Sequence, residues 1–576
     1  MNYLSRIFNF IDFTRKLILN FIFILVLILV LISFFFSDFN RDEYSPVVVF
    51  APKKINETTN LNLSFFGDEL YQLSLFETIS AIETASTNES VELLFMDLTY
   101  LDISFTGILE IGNALNVFKK SGKKVIAYAD FFDKKNYLLA SYADSVMLNN
   151  NGMVLIDGFS SQKLFVKNLL EKLNIGVNTF ISGKYKSALD TFTKDEMSEE
   201  DKLQTSFYLS EVWLAWKKII SFNRDKVLEI EIDEYINNLG NLTKKFKGDT
   251  AKLALDKGLV DTLIERTELK KYISSLVSGE KILFKDNLTN YLDHKTSNNK
   301  FAVLVASGEI IDGDYSEGTI SSENFTKILK KIEQDKDIKA LFLRINSPGG
   351  SGFASERIRQ RLKLLNLKIP IVISMGDVAA SGGYWISMND NLILANPFTL
   401  TGSIGVWAAL PNFKDSIKGI GINSEQVSTN DLGLSLIEPP NENLSVFMQS
   451  YVDGSYTKFI NLVSNNRKLA LEETEKISQG RIWPGESAVK NKLVDQLGVF
   501  QDGIEILKKE TGFSDFEIKY IPVSPSIFED LFSSFRNFLS LNLNVLEMIK
   551  PLEIQKIITR KNIDISLTCL VCSELK

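Results

Sequence analysis

Chemistry has few places to reside in this chain, because its 576 residues include one histidine and two cysteines. A Ser-His-Asp triad, a Cys-His pair or a multi-histidine metal site would have to use His294, which lies in the polar, linker-like stretch 290–300. Histidine chemistry is therefore not expected. Cys569 and Cys572 form a CxxC pair near the C-terminus. With no second pair beside it, it reads as a local disulfide or as having no role, ahead of a redox or metal site. What remains is serine among small residues. Three glycine-bearing turns each follow a short apolar run: Asn346-Ser-Pro-Gly-Gly-Ser351, Ala379-Ala-Ser-Gly-Gly-Tyr384 and Thr401-Gly-Ser-Ile-Gly405. In the second, Ser381 opens a probable helix, where a hydroxyl could attack while the N–H of Gly382 faces an oxyanion and the helix dipole assists. Taken alone, that serine also reads as a helix cap in a tight turn. The Gly349-Gly350 pair could likewise present N–H groups to an anion, or simply turn the chain.

A serine hydroxyl needs a base, and without histidine the choice is a carboxylate or a lysine. An ordinary lysine, with a pKa of about 10.4, is less than about 0.1% neutral at pH 7, but burial lowers that pKa. No lysine occurs between Ile420 and Tyr456, whereas an earlier stretch reads Ser182-Gly-Lys-Tyr-Lys-Ser-Ala-Leu-Asp190. A site with its serine from one part of the chain and its lysine from another would explain the asymmetry.

The elements that must position these groups are repeated. LFMDLT (94–99) aligns with LFLRIN (341–346), and residues 126–150 align with 373–397, both at an offset of 247 residues. KGLVDTL (257–263) resembles NKLVDQL (491–497) at a shorter offset. This points to a tandem duplication of an α/β unit with parallel strands and helical crossovers. At the 247 offset, Ser381 faces Lys134, Gly349 faces Asp102 and Gly350 faces Ile103. The second copy thus reads as catalytic and the first as its partner. Residues 160–224 are expected to form several helices.

Residues Leu17–Phe36 contain no charge, and 20 residues at about 1.5 Å each span a bilayer core. A buried helix would not be apolar on all faces, and the following SFFFSDFNRDEY lacks the small residues of a signal-peptide cleavage site. Arg6, Arg15 and Lys16 precede the span and acids follow it, so the N-terminus is expected in the cytoplasm and the body outside the cytoplasmic membrane, in the periplasm of a Gram-negative cell. Net charge is -8, with no basic excess to suggest nucleic acid. The expected organisation is a cytoplasmic segment (1–16), a transmembrane anchor (17–36), repeats at 45–287 and 300–510, and a tail (511–576). In the tail Phe528, Leu531, Phe532, Phe535, Phe538 and Leu539 form one stripe of an amphipathic helix.

These features together, from the anchor through NSPGG, AASGGYWIS, LTGSIG and GKYKSA, resemble the signal peptide peptidase A family of Ser/Lys serine peptidases, in its long, protease IV form. The resemblance covers nearly the whole chain. It implies tandem ClpP/crotonase-like domains, a homotetramer at the membrane, and cleaved signal peptides or other extended apolar peptides as substrates. It assigns Ser381 as nucleophile, Lys186 as general base and acid, Ser403 as the residue orienting the lysine, and the N–H groups of Gly350 and Gly382 as oxyanion donors. It implies no metal or organic cofactor. Thr191 stands where relatives often have proline, and Asp377 where they often have a small residue. Two alternatives keep the fold but change the role: a crotonase-type acyl-CoA enzyme, and an inactive membrane scaffold.

Overall fold

Runs such as Val47-Val-Val-Phe50 are apolar at every position, the pattern of a parallel strand covered on both faces. The computed structural model describes residues 45–58, 73–278, 286–523 and 566–568 apart from 226, 228, 294 and 315, together with 12–17 and scattered positions to 27. The first half contains β1 (Val47–Phe50), β2 (Leu93–Asp97), β3 (Lys124–Phe132), β4 (Ser145–Val154), β5 (Gly176–Ser182) and β6 (Thr262–Leu263). All but β5 form one parallel sheet, in the order β1-β2-β3-β4-β6.

The second half begins with β7 (Lys300–Ser307), β8 (Glu309–Ile311), β9 (Thr319–Ser321), β10 (Ile338–Ser347) and β11 (Gly349–Ser351). It continues through β12 (Ile371–Ala380), β13 (Leu392–Ala395), β14 (Leu400–Gly402) and β15 (Val406–Asn412). The remaining strands are β16 (Ile482–Pro484), β17 (Gln496–Leu497), β18 (Glu517–Ile521) and β19 (Ser566–Thr568). An eight-stranded sheet runs β16-β14-β12-β10-β7-β18, with β13 on β12 and β17 on β13. Its β10, β12, β13 and β17 reproduce the neighbours β2, β3, β4 and β6 of the first sheet. The mixed α/β repeat read from the sequence is therefore present in both halves.

The halves share a core. Phe76 packs against Phe342 and Phe500, and Phe105 against Phe398. Polar contacts cross the same boundary. Fully buried Arg344 donates to Glu57 (2.7 Å) and Glu110 (3.1 Å) of the first half, and to Ser374 (2.8 Å) beside it. Asp377 accepts from the N–H (2.9 Å) and hydroxyl (2.7 Å) of Thr106, in the first turn of the helix Phe105–Lys120. The residue that departs from the family pattern thus caps a helix of the other repeat.

Two expectations change. Residues 160–224 hold helices Lys167–Lys172 and Glu199–Asn223, but also strand β5, whose GVNTFIS pairs antiparallel with β15 along its whole length. The second unit extends past residue 510, because β18 covers the open edge of β7 and Phe516 stacks on Phe301 (centroids 4.2 Å apart). Of the tail beyond, only β19 is described. His294, Cys569, Cys572 and the aromatic stripe 528–539 lie outside the described residues, as does most of 17–36. Among the described residues no helix is long and apolar enough to cross a membrane.

Candidate active site

The turn after β12 is shaped by a bulge. Pairing of β10 with β12 shifts between Ile345↔Met375 and Ser347↔Ala379, and the side chain of Asn346 accepts from the N–H of Val378 (3.2 Å). A Cβ on Gly376 would lie 2.9 Å from Cγ of Asn346, so glycine makes room for that side chain. The bulge re-aims the strand end that leads into Ser381. Ser381 itself has φ +55° and ψ -114°, a conformation that L residues rarely adopt, and it is fully buried. Its N–H donates to the carbonyl of Gly402 (2.8 Å), and its own carbonyl accepts from Trp385 (2.9 Å). Such strain at a nucleophile-type residue marks a position held by its surroundings.

Lys186 arrives from the other repeat. The antiparallel ladder of β5 on β15, from Val406↔Ser182 to Asn412↔Gly176, brings the chain after β5 beside the turn containing Ser403. There Nζ of Lys186 lies 2.9 Å from Oγ of Ser381, 2.9 Å from the carbonyl of Ser403 and 3.0 Å from its Oγ. Lys186 is 4% exposed. Burial pushes its pKa down to about 7. A neutral amine has two N–H donors and one lone pair, which suits this set: Ser403 can take the donors, leaving the lone pair for the Ser381 hydroxyl proton.

The two glycines meet beside Ser381. A Cβ on Gly382 would lie 3.2 Å from the nitrogen of Gly350, so the two N–H-bearing positions are neighbours. Gly350 has φ +144°, and a Cβ there would lie 2.0 Å from the carbonyl oxygen of Ile310, which leaves no side chain possible without moving β11. The helix Gly382–Ile386 is only five residues long. Its dipole is correspondingly small, so an anion placed there would rely on the two N–H groups more than on the macrodipole.

All five expected residues, Ser381, Lys186, Ser403, Gly350 and Gly382, are thus brought together. In the first repeat, the aligned Lys134 instead pairs with Asp157 (2.8 Å) at the start of its own helix. Sequence reasoning missed the clamp around the lysine. The N–H of Tyr185 donates to the carbonyl of Gln479 (2.7 Å), and a Cβ on Gly480 would lie 2.6 Å from the nitrogen of Lys186. Arg481 stacks on Tyr185 (3.7 Å), while its carbonyl accepts from the N–H of Ser403 (2.7 Å). The segment Gln479–Arg481 therefore holds both Lys186 and Ser403, whose hydroxyl and carbonyl contact its amine; its glycine was the available signal. On the other side Ser187 donates to Asp201 (2.7 Å), which is ion-paired with buried Lys163 (2.7 Å). Thr191, which stands where sequences of the resembled family often have proline, lies in the short helix Asp190–Thr193 just beyond.

Residues 117–277 and 363–514 match the model of peptidase family S49. The chain is similar to the Protease 4 of Haemophilus influenzae, 36% identical over 471 residues (78% of this chain, 76% of the relative). It is similar to the Protease 4 of Salmonella typhi, 34% identical over 510 residues (85% and 81%). It is also similar to the chloroplastic serine protease SPPA of Arabidopsis thaliana, 28% identical over 448 residues (76% and 66%). With the buried serine and lysine in contact and the family matched in both halves, the chain belongs to peptidase family S49 and is a serine-type peptidase.

Proposed function

We propose that the chain is a membrane-anchored endopeptidase that hydrolyses cleaved signal peptides and other extended apolar peptides by a Ser381–Lys186 acyl-enzyme mechanism. The observation that carries this reading is the contact of Lys186 Nζ with Ser381 Oγ (2.9 Å) in a buried setting, with no histidine among the described residues. Neutral Lys186 takes the hydroxyl proton as Ser381 Oγ attacks the peptide carbonyl carbon. The N–H groups of Gly350 and Gly382 hold the resulting oxyanion. The lysine ammonium then protonates the leaving amine, the C–N bond breaks, and an ester remains on Ser381. Water, giving its proton to the same lysine, attacks that ester and releases the acid. Ser403 keeps Nζ in place through both its carbonyl and its hydroxyl.

In this reading each half is a ClpP/crotonase-like unit, the first supplying the lysine and the second the serine. Residues 17–36 anchor the chain in the cytoplasmic membrane, with the N-terminus in the cytoplasm and the catalytic body outside. The apolarity and charge flanks of that segment support the arrangement. Four copies assemble around the membrane-facing site, as the family resemblance implies.

The test is hydrolysis of a fluorogenic apolar peptide by the full chain in detergent, comparing native protein with Ser381→Ala and Lys186→Ala, with folding and assembly matched. Cleavage by native protein and its loss in both variants is the expected result. Equal cleavage by all three would remove the site from the mechanism, and absence of cleavage by any would favour a scaffold.

A further inference from the structure

Lys186 stands in the loop between β5 and the short turn Ser187–Leu189, outside any regular element. A loop keeps an amine out of water only where something closes over it. Here the closure comes from the other repeat, at the turn that follows the helix Leu471–Ile477. The lysine meets two glycines of that repeat at close range. A Cβ on Gly480 would lie 2.9 Å from its Cα, and one on Gly405 would lie 3.1 Å from its Cδ.

Gln479 fastens this arrangement. Its main-chain carbonyl accepts from the N–H of Tyr185 (2.7 Å), and its side-chain carbonyl accepts from the N–H of Lys184 (3.0 Å). One residue thus takes two successive donors of the loop. The side chain is itself braced. Its amide donates to Glu475, which also accepts from the hydroxyl of Tyr456 (3.0 Å), and that hydroxyl accepts from the N–H of Gln479 (3.2 Å). Burial and the neighbouring Glu475 push the Tyr456 pKa up, so the brace keeps its proton in alkaline solution. Gln479 has φ +57° just after a helix, where glycine is the usual occupant. Backbone preference alone would select glycine there, so the glutamine points to a use for its side chain.

We propose that Gln479 is a positioning residue for the lysine base: it locks the loop 183–187 against the turn 478–481 and so keeps water from the amine of Lys186. The inference rests on the peptidase reading of Ser381 and Lys186. Of the charged side chains around the loop, Lys184 pairs with Glu200 (3.3 Å), Asp201 with Lys163 (2.7 Å) and Asp190 with Lys194 (3.0 Å), while Arg481 lies on the Tyr185 ring. Among the described residues no ion pair reaches Nζ of Lys186, and burial is what lowers its pKa to about 7. Hydration is therefore the variable that the clamp controls. Recovering about a third of the lost hydration would carry the lysine to about 8, and its neutral fraction at pH 7 would fall from about one half to about one eleventh.

The test is kcat/KM for an uncharged fluorogenic peptide between pH 6 and 9.5, with the full chain in detergent as native protein, Gln479→Ala, Gln479→Gly and Tyr456→Phe. Both Gln479 variants are expected to show a deficit of about fivefold at pH 7 that closes to within about 1.5-fold at pH 9.5. Tyr456→Phe should shift the profile the same way by less, and should add nothing to Gln479→Ala, because it acts through Gln479. A merely structural role gives another pattern: equal loss at every pH, or full activity in Gln479→Gly, whose backbone suits the turn. Ionisation of Lys186 can also be read without turnover. Trace acetylation by acetic anhydride, with the Lys186 peptide quantified by mass spectrometry, should give a midpoint of about 7 in native protein and about 8 in Gln479→Gly. Coincident midpoints overturn the proposal, and so does a deficit that persists at pH 9.5. If native protein hydrolyses no peptide, the peptidase reading fails by itself, and the acetylation midpoints still decide whether Gln479 governs the amine.

Discussion

The rate of this enzyme should follow the titration of one buried lysine. Among the described residues Lys186 Nζ has no carboxylate partner, its hydrogen bonds going to Ser381 and Ser403, and burial takes its pKa from 10.5 to about 7. At pH 7 an unperturbed lysine would be neutral about 0.03% of the time, while one at about 7 is neutral half the time, a gain of ~1,500-fold in competent base. The same arithmetic fixes the profile. With neutral Lys186 required, kcat/KM should fall about 50-fold from pH 7 to pH 5 and rise only about twofold from pH 7 to pH 9. A lysine at its ordinary pKa would give a rise of about 100-fold over that upper interval. Stability carries the matching sign. The unfolded lysine stays protonated up to about pH 10.4 while the folded one is neutral above about 7, so its contribution is complete above the former and lost as pH falls through the latter. The assay is kcat/KM for an uncharged fluorogenic peptide between pH 5 and 9.5 at constant ionic strength. A tenfold rise per pH unit continuing through pH 9 would refute the lowered pKa, and a flat profile would refute the lysine as base.

Other consequences follow from the same contacts. Gly350→Ala places a Cβ where the Ile310 carbonyl stands 2.0 Å away, so β11 must shift and take its N–H off the oxyanion; kcat should drop about 10²–10³-fold in steady-state hydrolysis. Ser403→Ala removes the hydroxyl contact at 3.0 Å but keeps the carbonyl contact at 2.9 Å, so the loss in kcat should be milder, about tenfold, measured under the same conditions. Arg344→Ala leaves Glu57 and Glu110 buried together without their cation, and chemical denaturation should show about 3–5 kcal/mol lost.

Much of this was legible in the chain, for identifiable reasons. The repeat shows because β3 and β12 begin at residues 124 and 371, and β4 and β13 at 145 and 392, so a single offset of 247 aligns strands that must be apolar on both faces. The serine was legible because small residues are needed where Gly382 and Gly350 pack against each other. The lysine was legible chiefly by family resemblance, with the lack of lysine between Ile420 and Tyr456 only a weak signal. The clamp of Gln479–Arg481 on Tyr185 and Lys186 was not, since it joins segments almost three hundred residues apart that share no pattern. Strand β5 was also missed. Its GVNTFIS has no apolar alternation, and it is a strand because β15 supplies the ladder. The role of Asp377 needed Thr106 in view, as capping across two repeats leaves no trace in either sequence alone.

The central claim, that Ser381 is acylated with Lys186 taking its proton, is most directly tested by trapping the intermediate. Native protein, Lys186→Ala and Ser381→Ala would be mixed with an apolar peptide ester, quenched in acid within the first turnovers, and mapped by mass spectrometry. The predicted result is an acyl group on Ser381 of the native protein, with none at that position in either variant. Acylation at another residue, or undiminished acylation of Ser381 in Lys186→Ala, would contradict the account.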